Sequence, residues 1–243
     1  MVLTPGTTDQ APAPALPGEG PLVLVMDVDS TLIRDEVIEL IAEHAGTREQ
    51  VAAVTEAAMR GELDFAQSLH ARVATLAGLP VEVLERVRAA VRLTPGARTL
   101  VTTLVEAGHI VGLVSGGFTE VVDDLASELG IAHARANHLE IADGHLTGTV
   151  LGDVVDRAAK ADFITRLAAS SGVEMDRTVA VGDGANDLDM MAAAQLGIAF
   201  CAKPAVREQA DHAIDEPDLR RVLDILGIEA LPQPDDEGGH PLA

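Results

Sequence analysis

Leu22-Val23-Leu24-Val25-Met26-Asp27-Val28-Asp29-Ser30-Thr31 decides the fold. Five apolar residues without alternation are the pattern of a strand buried on both faces, as in a parallel sheet covered by helices. The run ends in two carboxylates one residue apart. Ligands of open α/β sheets collect beyond the carboxyl ends of the strands, so Asp27 and Asp29 stand where chemistry is done. Far downstream, Thr178-Val179-Ala180-Val181 ends in the same manner in Gly182-Asp183-Gly184-Ala185-Asn186-Asp187. Two acidic strand ends predict a hard-cation site.

From Pro95 onward strand and helix patterns alternate, with strands near 110–114, 179–181 and 198–200, which predicts a parallel sheet. Between the first strand and the rest, residues 35–92 are helical in pattern throughout. Apolar residues recur at helical spacing in Val37-Ile38-Leu40-Ile41, Val51-Val54-Ala58, Leu69-Val73-Leu76 and Val83-Leu84-Val87-Val91. The expected fold is therefore α/β: a Rossmann-like parallel-sheet core of residues 22–35 and 95–230, with a small helical cap, 36–94, inserted over the acidic edge. Residues 139–150 alternate around Asp143-Gly144 and read as a β-hairpin. Residues 1–21, with five of the twelve prolines, and 231–243, with Asp235-Asp236-Glu237, lack periodicity and read as disordered tails.

The chain of 243 residues is 47% hydrophobic, enough for a core without staples, and its single cysteine excludes an intramolecular disulfide. Cys201 reads as a buried hydrophobe in a strand. No segment approaches the ~20 apolar residues of a membrane span, and no basic-then-apolar leader opens the chain, so a cytoplasmic location is expected. A formal net charge of −22 argues against nucleic acid and membranes as partners. The expected partner is a small molecule, and an anionic one would need a metal. The oligomeric state, monomer or homodimer, is left open by the sequence.

Two acids flanking one residue can divide a reaction between them, Asp27 as nucleophile and Asp29 as general acid and then base. A carboxylate is repelled by a phosphate dianion, an obstacle that Mg²⁺ removes by binding both. Asp183 is the evident further ligand, and Asp187 could bind directly or orient a metal-bound water. Ser115-Gly116-Gly117, after an apolar run and before a helix expected over 119–129, reads as an anion cradle. Of 17 basic residues only Lys160 and Lys203 are lysines. Near the start of its helix, Lys160 could neutralise the transferring phosphoryl group; Lys203, before Pro204, is its rival for that role.

These motifs resemble the haloacid dehalogenase (HAD) superfamily of aspartate-nucleophile phosphatases. Within it, Asp35-Glu36-Val37-Ile38, Met59-Arg60-Gly61-Glu62-Leu63-Asp64-Phe65, Ser68-Leu69-His70-Ala71-Arg72-Val73 and Val114-Ser115-Gly116-Gly117-Phe118 resemble the phosphoserine phosphatases. The likeness runs from about Leu22 to Leu226. It implies hydrolysis of O-phospho-L-serine, the last step of L-serine biosynthesis, through an aspartyl phosphate on Asp27. It further implies Mg²⁺ on Asp27, the main-chain oxygen of Asp29, and Asp183, with phosphate held by Ser115, Gly116, Lys160 and Asn186. By the same likeness Glu36 and Arg72 read the amino-acid part, as a carboxylate facing an ammonium and a guanidinium gripping a carboxylate would, while Met59 and Phe65 line the cap side. A folded regulatory domain, present before the first motif in several such enzymes, is not expected of the proline-rich first 21 residues. Two other readings remain: a phosphatase or phosphotransferase for another small phosphomonoester, and a signalling receiver domain, which needs neither Asp29 nor a cap.

Overall fold

The computed structural model describes residues 19–59 and 64–232. Most of both expected tails, the stretch 60–63 and the side chain of Met59 lie outside the described residues.

A seven-stranded sheet of order β4-β3-β2-β1-β5-β6-β7 forms the centre. Its strands are β1 (Val23–Met26), β2 (Ile110–Phe118), β3 (His133–Ala142), β4 (His145–Leu151), β5 (Thr178–Gly182), β6 (Leu196–Phe200) and β7 (His212–Ile214). β1 pairs in parallel with β2 on one side and β5 on the other. The chain thus leaves β1 for one half of the sheet and later returns beside it for the other, making β1 the switch point at which ligand crevices open. Its all-apolar sequence suits a strand covered on both faces. Leu24 and Met26 pack in one core layer, Val23 and Val25 in the other. The first layer takes helices α5 (Ala97–Glu106), α6 (Thr119–Leu129) and α10 (Arg220–Leu226); the second takes α7 (Arg157–Ser171), α8 (Leu188–Ala193) and α9 (Pro204–Arg207).

Four described α-helices stand between β1 and α5: α1 (Val37–Ala45), α2 (Arg48–Met59), α3 (Phe65–Ala74) and α4 (Val83–Ala90). They leave and rejoin the sheet through a two-chain neck. There Ile33 bridges Leu93, Arg34 N–H donates to the Arg92 carbonyl at 2.9 Å, and Arg92 pairs with Asp35 at 2.6 Å. The insertion is also stitched to the hairpin, because Gly78 N–H donates to Leu146 O and Leu146 N–H to Leu79 O, each at 2.8 Å.

Three features differ from the sequence reading. The hairpin around Asp143-Gly144 is present, its turn residues both at positive φ as a type I′ turn requires, but β3 begins earlier and its first half pairs in parallel with β2. Ser115-Gly116-Gly117 bulges from β2 instead of opening α6: the ladder passes from Val114↔Arg135 to Phe118↔Asn137. Cys201 is exposed, not buried. It follows the last residue of β6 at φ 47, so the strand has ended before it.

Candidate active site

β1 delivers Asp27 to the carboxyl edge almost fully buried, 4% exposed, and Val28 N–H donates to its Oδ1 at 2.8 Å. The chain then turns sharply. Ser30 sits at φ 56, which brings Asp29 alongside and sets the Ser30 hydroxyl to donate to Glu36 Oε1 at 2.7 Å. Glu36 stands just before α1, and Val37 N–H reaches back to Asp29 Oδ1 at 3.4 Å. β5 brings Asp183 to the same edge, where the Thr31 hydroxyl donates to its Oδ1 at 3.3 Å. Thr31 is in turn fixed through its carbonyl by the buried Thr94 hydroxyl at 2.7 Å.

Lys160 lies wholly inside the protein. Its Nζ is 2.8 Å from Asp27 Oδ1 and 2.7 Å from Asp187 Oδ1, while the other Asp187 oxygen accepts from Gly184 N–H at 3.0 Å. Burial favours the neutral amine, but the two carboxylates outweigh it and raise the Lys160 pKa. Carboxylate oxygens of Asp27, Asp183 and Asp187 come within 4.8 Å of one another. Crowded acids in a dry site resist ionising together. Burial, followed by the Asp187 charge, pushes Asp27 up to about 8 against the pull of Lys160, and the same two causes push Asp183 up to about 6. An all-oxygen cluster that holds protons reluctantly shared is a fitting site for a hard divalent cation, which removes the repulsion. Burial, then Glu36 and Asp27, holds the Asp29 carboxyl well above the usual carboxylate range, the condition of a proton donor at neutral pH.

Above the acids lies a cavity of about 480 Å³. Asp27, Asp29, Asp183, Gly116, Gly117 and Asn186 line it, together with Glu36 and, from α3, Arg72 and Phe65. A Cβ on Gly116 would meet the Phe65 ring at 3.0 Å, so the glycine is what lets α3 approach the bulged strand. Arg72 is anchored by donating to the Ser68 carbonyl at 3.3 Å. Burial weakens its hold on the proton, and Glu36 and Asp29 oppose that.

The residues singled out in the sequence therefore converge, but in two tiers. Asp27, Asp29, Asp183, Glu36, Arg72, Gly116 and Asn186 face the cavity; Ser115, Lys160 and Asp187 are fully buried behind it. Lys203 caps α9 from an exposed position and makes no contact with the acids. Sequence reading gave no role to Ser30, Thr31 or Thr94, which orient Glu36 and Asp183. The first two lie inside the opening motif, and hydroxyl residues directly after paired acids were the available signal.

The haloacid dehalogenase-like hydrolase family matches residues 24–192. The chain is 64% identical over 206 residues to a phosphoserine phosphatase of Streptomyces coelicolor, covering 85% of this chain but 50% of that protein, so it spans about half the length of that relative. It is 54% identical over 204 residues to a phosphoserine phosphatase of Streptococcus thermophilus, covering 84% of this chain and 95% of the other. A solved structure described as a phospho-aspartyl intermediate analogue of phosphoserine phosphatase superposes with a TM-score of 0.80 at 42% identity, covering 85% of this chain and 99% of that one.

Proposed function

We propose, from the premise that the chain belongs to the haloacid dehalogenase-like hydrolases, that it hydrolyses O-phospho-L-serine to L-serine and phosphate, closing L-serine biosynthesis. The observation that carries this reading is one cavity lined by Asp27, Asp29, Asp183 and the Gly116-Gly117 bulge together with Glu36 and Arg72, a pair suited to an α-ammonium and an α-carboxylate. Relatives and a solved neighbour bearing that name support it.

Asp27 attacks phosphorus, forming the aspartyl phosphate as the serine oxygen leaves, and Asp29 gives that oxygen its proton. The Asp29 carboxylate then takes a proton from the water that cleaves the acyl phosphate, releasing phosphate and restoring Asp27. Asp27, the main-chain oxygen of Asp29, and Asp183 would hold Mg²⁺, with Asp187 behind them; the ion supplies neutralisation of the phosphate charge facing an anionic nucleophile. Ser115, Gly116, Lys160 and Asn186 hold the phosphoryl oxygens. Residues 36–94 act as the cap that excludes water during the phosphoryl step. No described helix is long and apolar enough to cross a membrane, in keeping with a small-molecule enzyme of the cytoplasm. The receiver reading fits less well, since a partner protein would have to reach an aspartate that is 4% exposed.

Phosphate release from L-phosphoserine, phosphothreonine, phosphohomoserine and p-nitrophenyl phosphate, with Asp27→Asn as the blank, tests the proposal. Preference for L-phosphoserine, lost on chelation and in the variant, is expected. Turnover of the generic ester with indifference to phosphoserine would discard the substrate, and no turnover of any ester would discard the reaction.

A further inference from the structure

Asn137, on β3, belongs to none of the motifs above, yet it is 1% exposed and bonded to both of the segments that present the phosphate-side residues. Its Nδ2 donates to the carbonyls of Gly116 at 2.9 Å and Gly117 at 3.3 Å, and its Oδ1 accepts from Val155 N–H at 2.8 Å. The need for an amide here follows from the bulge. Because the β2–β3 ladder skips from Val114 to Phe118, the intervening carbonyls have no strand partner on that side, and buried carbonyls require donors. A side chain from the neighbouring strand supplies them.

The consequence is directional. In a trans peptide the C=O and N–H point opposite ways, so fixing the Gly116 carbonyl aims Gly117 N–H away from Asn137, where it donates to Ser115 Oγ at 2.8 Å. A hydroxyl has one proton to give. With a Ser115 lone pair engaged by Gly117, that proton is the group left to meet an acceptor. On the other side, Val155 immediately precedes Asp156, which caps α7 by accepting from Ala159 N–H at 2.9 Å and whose carbonyl accepts from Lys160 N–H at 3.0 Å. One side chain thus ties the bulge that carries Ser115 to the start of the helix that carries Lys160.

We infer that Asn137 is a positioning residue for the phosphoryl group, setting the Ser115 hydroxyl and the Lys160 helix at a fixed spacing without touching substrate. The inference rests on the phosphomonoester reading above. Two near-isosteric variants test it. Asn137→Asp keeps an acceptor for Val155 but turns an oxygen toward two carbonyls; Asn137→Leu removes all three bonds and, being uncharged, carries the same test should the first not fold. Displacement of aligned groups by about an ångström costs on the order of 100-fold, so kcat/KM should fall about 10- to 100-fold. The loss should be equal for phosphoserine and p-nitrophenyl phosphate, and calorimetric affinity for inorganic phosphate should weaken with it. Combined with Ser115→Ala, Asn137→Asp should cost less than it does alone, since the part of its effect that passes through Ser115 is already lost and residues acting as one unit are not additive. A lowered melting temperature with unchanged phosphate affinity, or losses that multiply with Ser115→Ala, would overturn it in favour of a purely structural role. Wild-type protein that binds phosphate and cleaves p-nitrophenyl phosphate but ignores phosphoserine overturns the substrate proposal and leaves this comparison standing; wild-type protein that binds no phosphate overturns both.

Discussion

Lys160 shows how much one residue can carry. Its ammonium joins Asp27 and Asp187 with no exposure of its own, and removing one member of a buried ionic set leaves the others charged and dry. Lys160→Met should therefore cost about 3–5 kcal/mol of stability besides abolishing turnover. The deficit should depend on pH, because Asp27, already pushed up to about 8 with the lysine beside it, holds its proton more tightly still without it: urea melts should show a larger gap above about pH 8 than near about pH 6. An equal gap on both sides of that value would mean the lysine is not what neutralises Asp27. The scarcity of lysine made this residue conspicuous in the sequence, but its sharing between two carboxylates was not readable, since Asp27 and Asp187 are distant in sequence and meet only through the β1–β5 pairing. Cys201 illustrates the converse. Its apolar neighbours suggested burial, whereas its positive φ turns it out of the strand.

At the scale of elements, those with a local signature were legible and those created by a neighbour were not. The inserted helices follow their apolar spacing, and the hairpin follows Asp143-Gly144. The first half of β3, His133-Ala134-Arg135-Ala136-Asn137, has little β-branched or aromatic character and is extended because β2 pairs with it. The bulge of β2 escaped for the same reason, being a property of two strands together. A long-range contact of this kind also governs α3, whose Arg72 faces the cavity while its C-terminal end rests on β4. Gly148 makes that approach possible: at φ +85, a Cβ would lie 2.9 Å from Ala77 Cβ and 3.3 Å from Ala74 Cα. Gly148→Ala should push α3 outward at a cost of about 1–3 kcal/mol, the usual range for overpacking. Its kinetic mark should be a KM for phosphoserine that rises more than that for p-nitrophenyl phosphate, because the shift moves Arg72 and leaves the strand ends in place. Equal changes for both esters would show that the hairpin contact supports the whole site and not the amino-acid end.

For the molecule as a whole, a net charge of −22 and an acid cluster at the sheet edge make protons and divalent cations competitors for one place. In the metal-free protein Asp27 is pushed up to about 8 and Asp183 up to about 6, whereas in the unfolded chain both release protons near 3.8. The folded state therefore binds more protons than the unfolded state across that interval, and stability falls as pH rises through it. This contribution is complete below the unfolded value and gone above about 8. Asp29 is shifted in the same direction. A cation needs these carboxylates ionised, so its affinity climbs over the same window, and a ligand that binds only the folded state stabilises it by RT ln(1 + [L]/Kd), which grows as the affinity does. The melting temperature without metal should thus decline from about pH 5 to about pH 8, while excess Mg²⁺ should restore little at the acid end and most at the alkaline end, releasing protons as it binds. Na⁺ at matched ionic strength separates this from screening of the overall charge, which acts on distant groups and needs no particular pH. If Na⁺ stabilised as well as Mg²⁺, or if the Mg²⁺ effect were flat with pH, the acid cluster would not be the place where the ion acts.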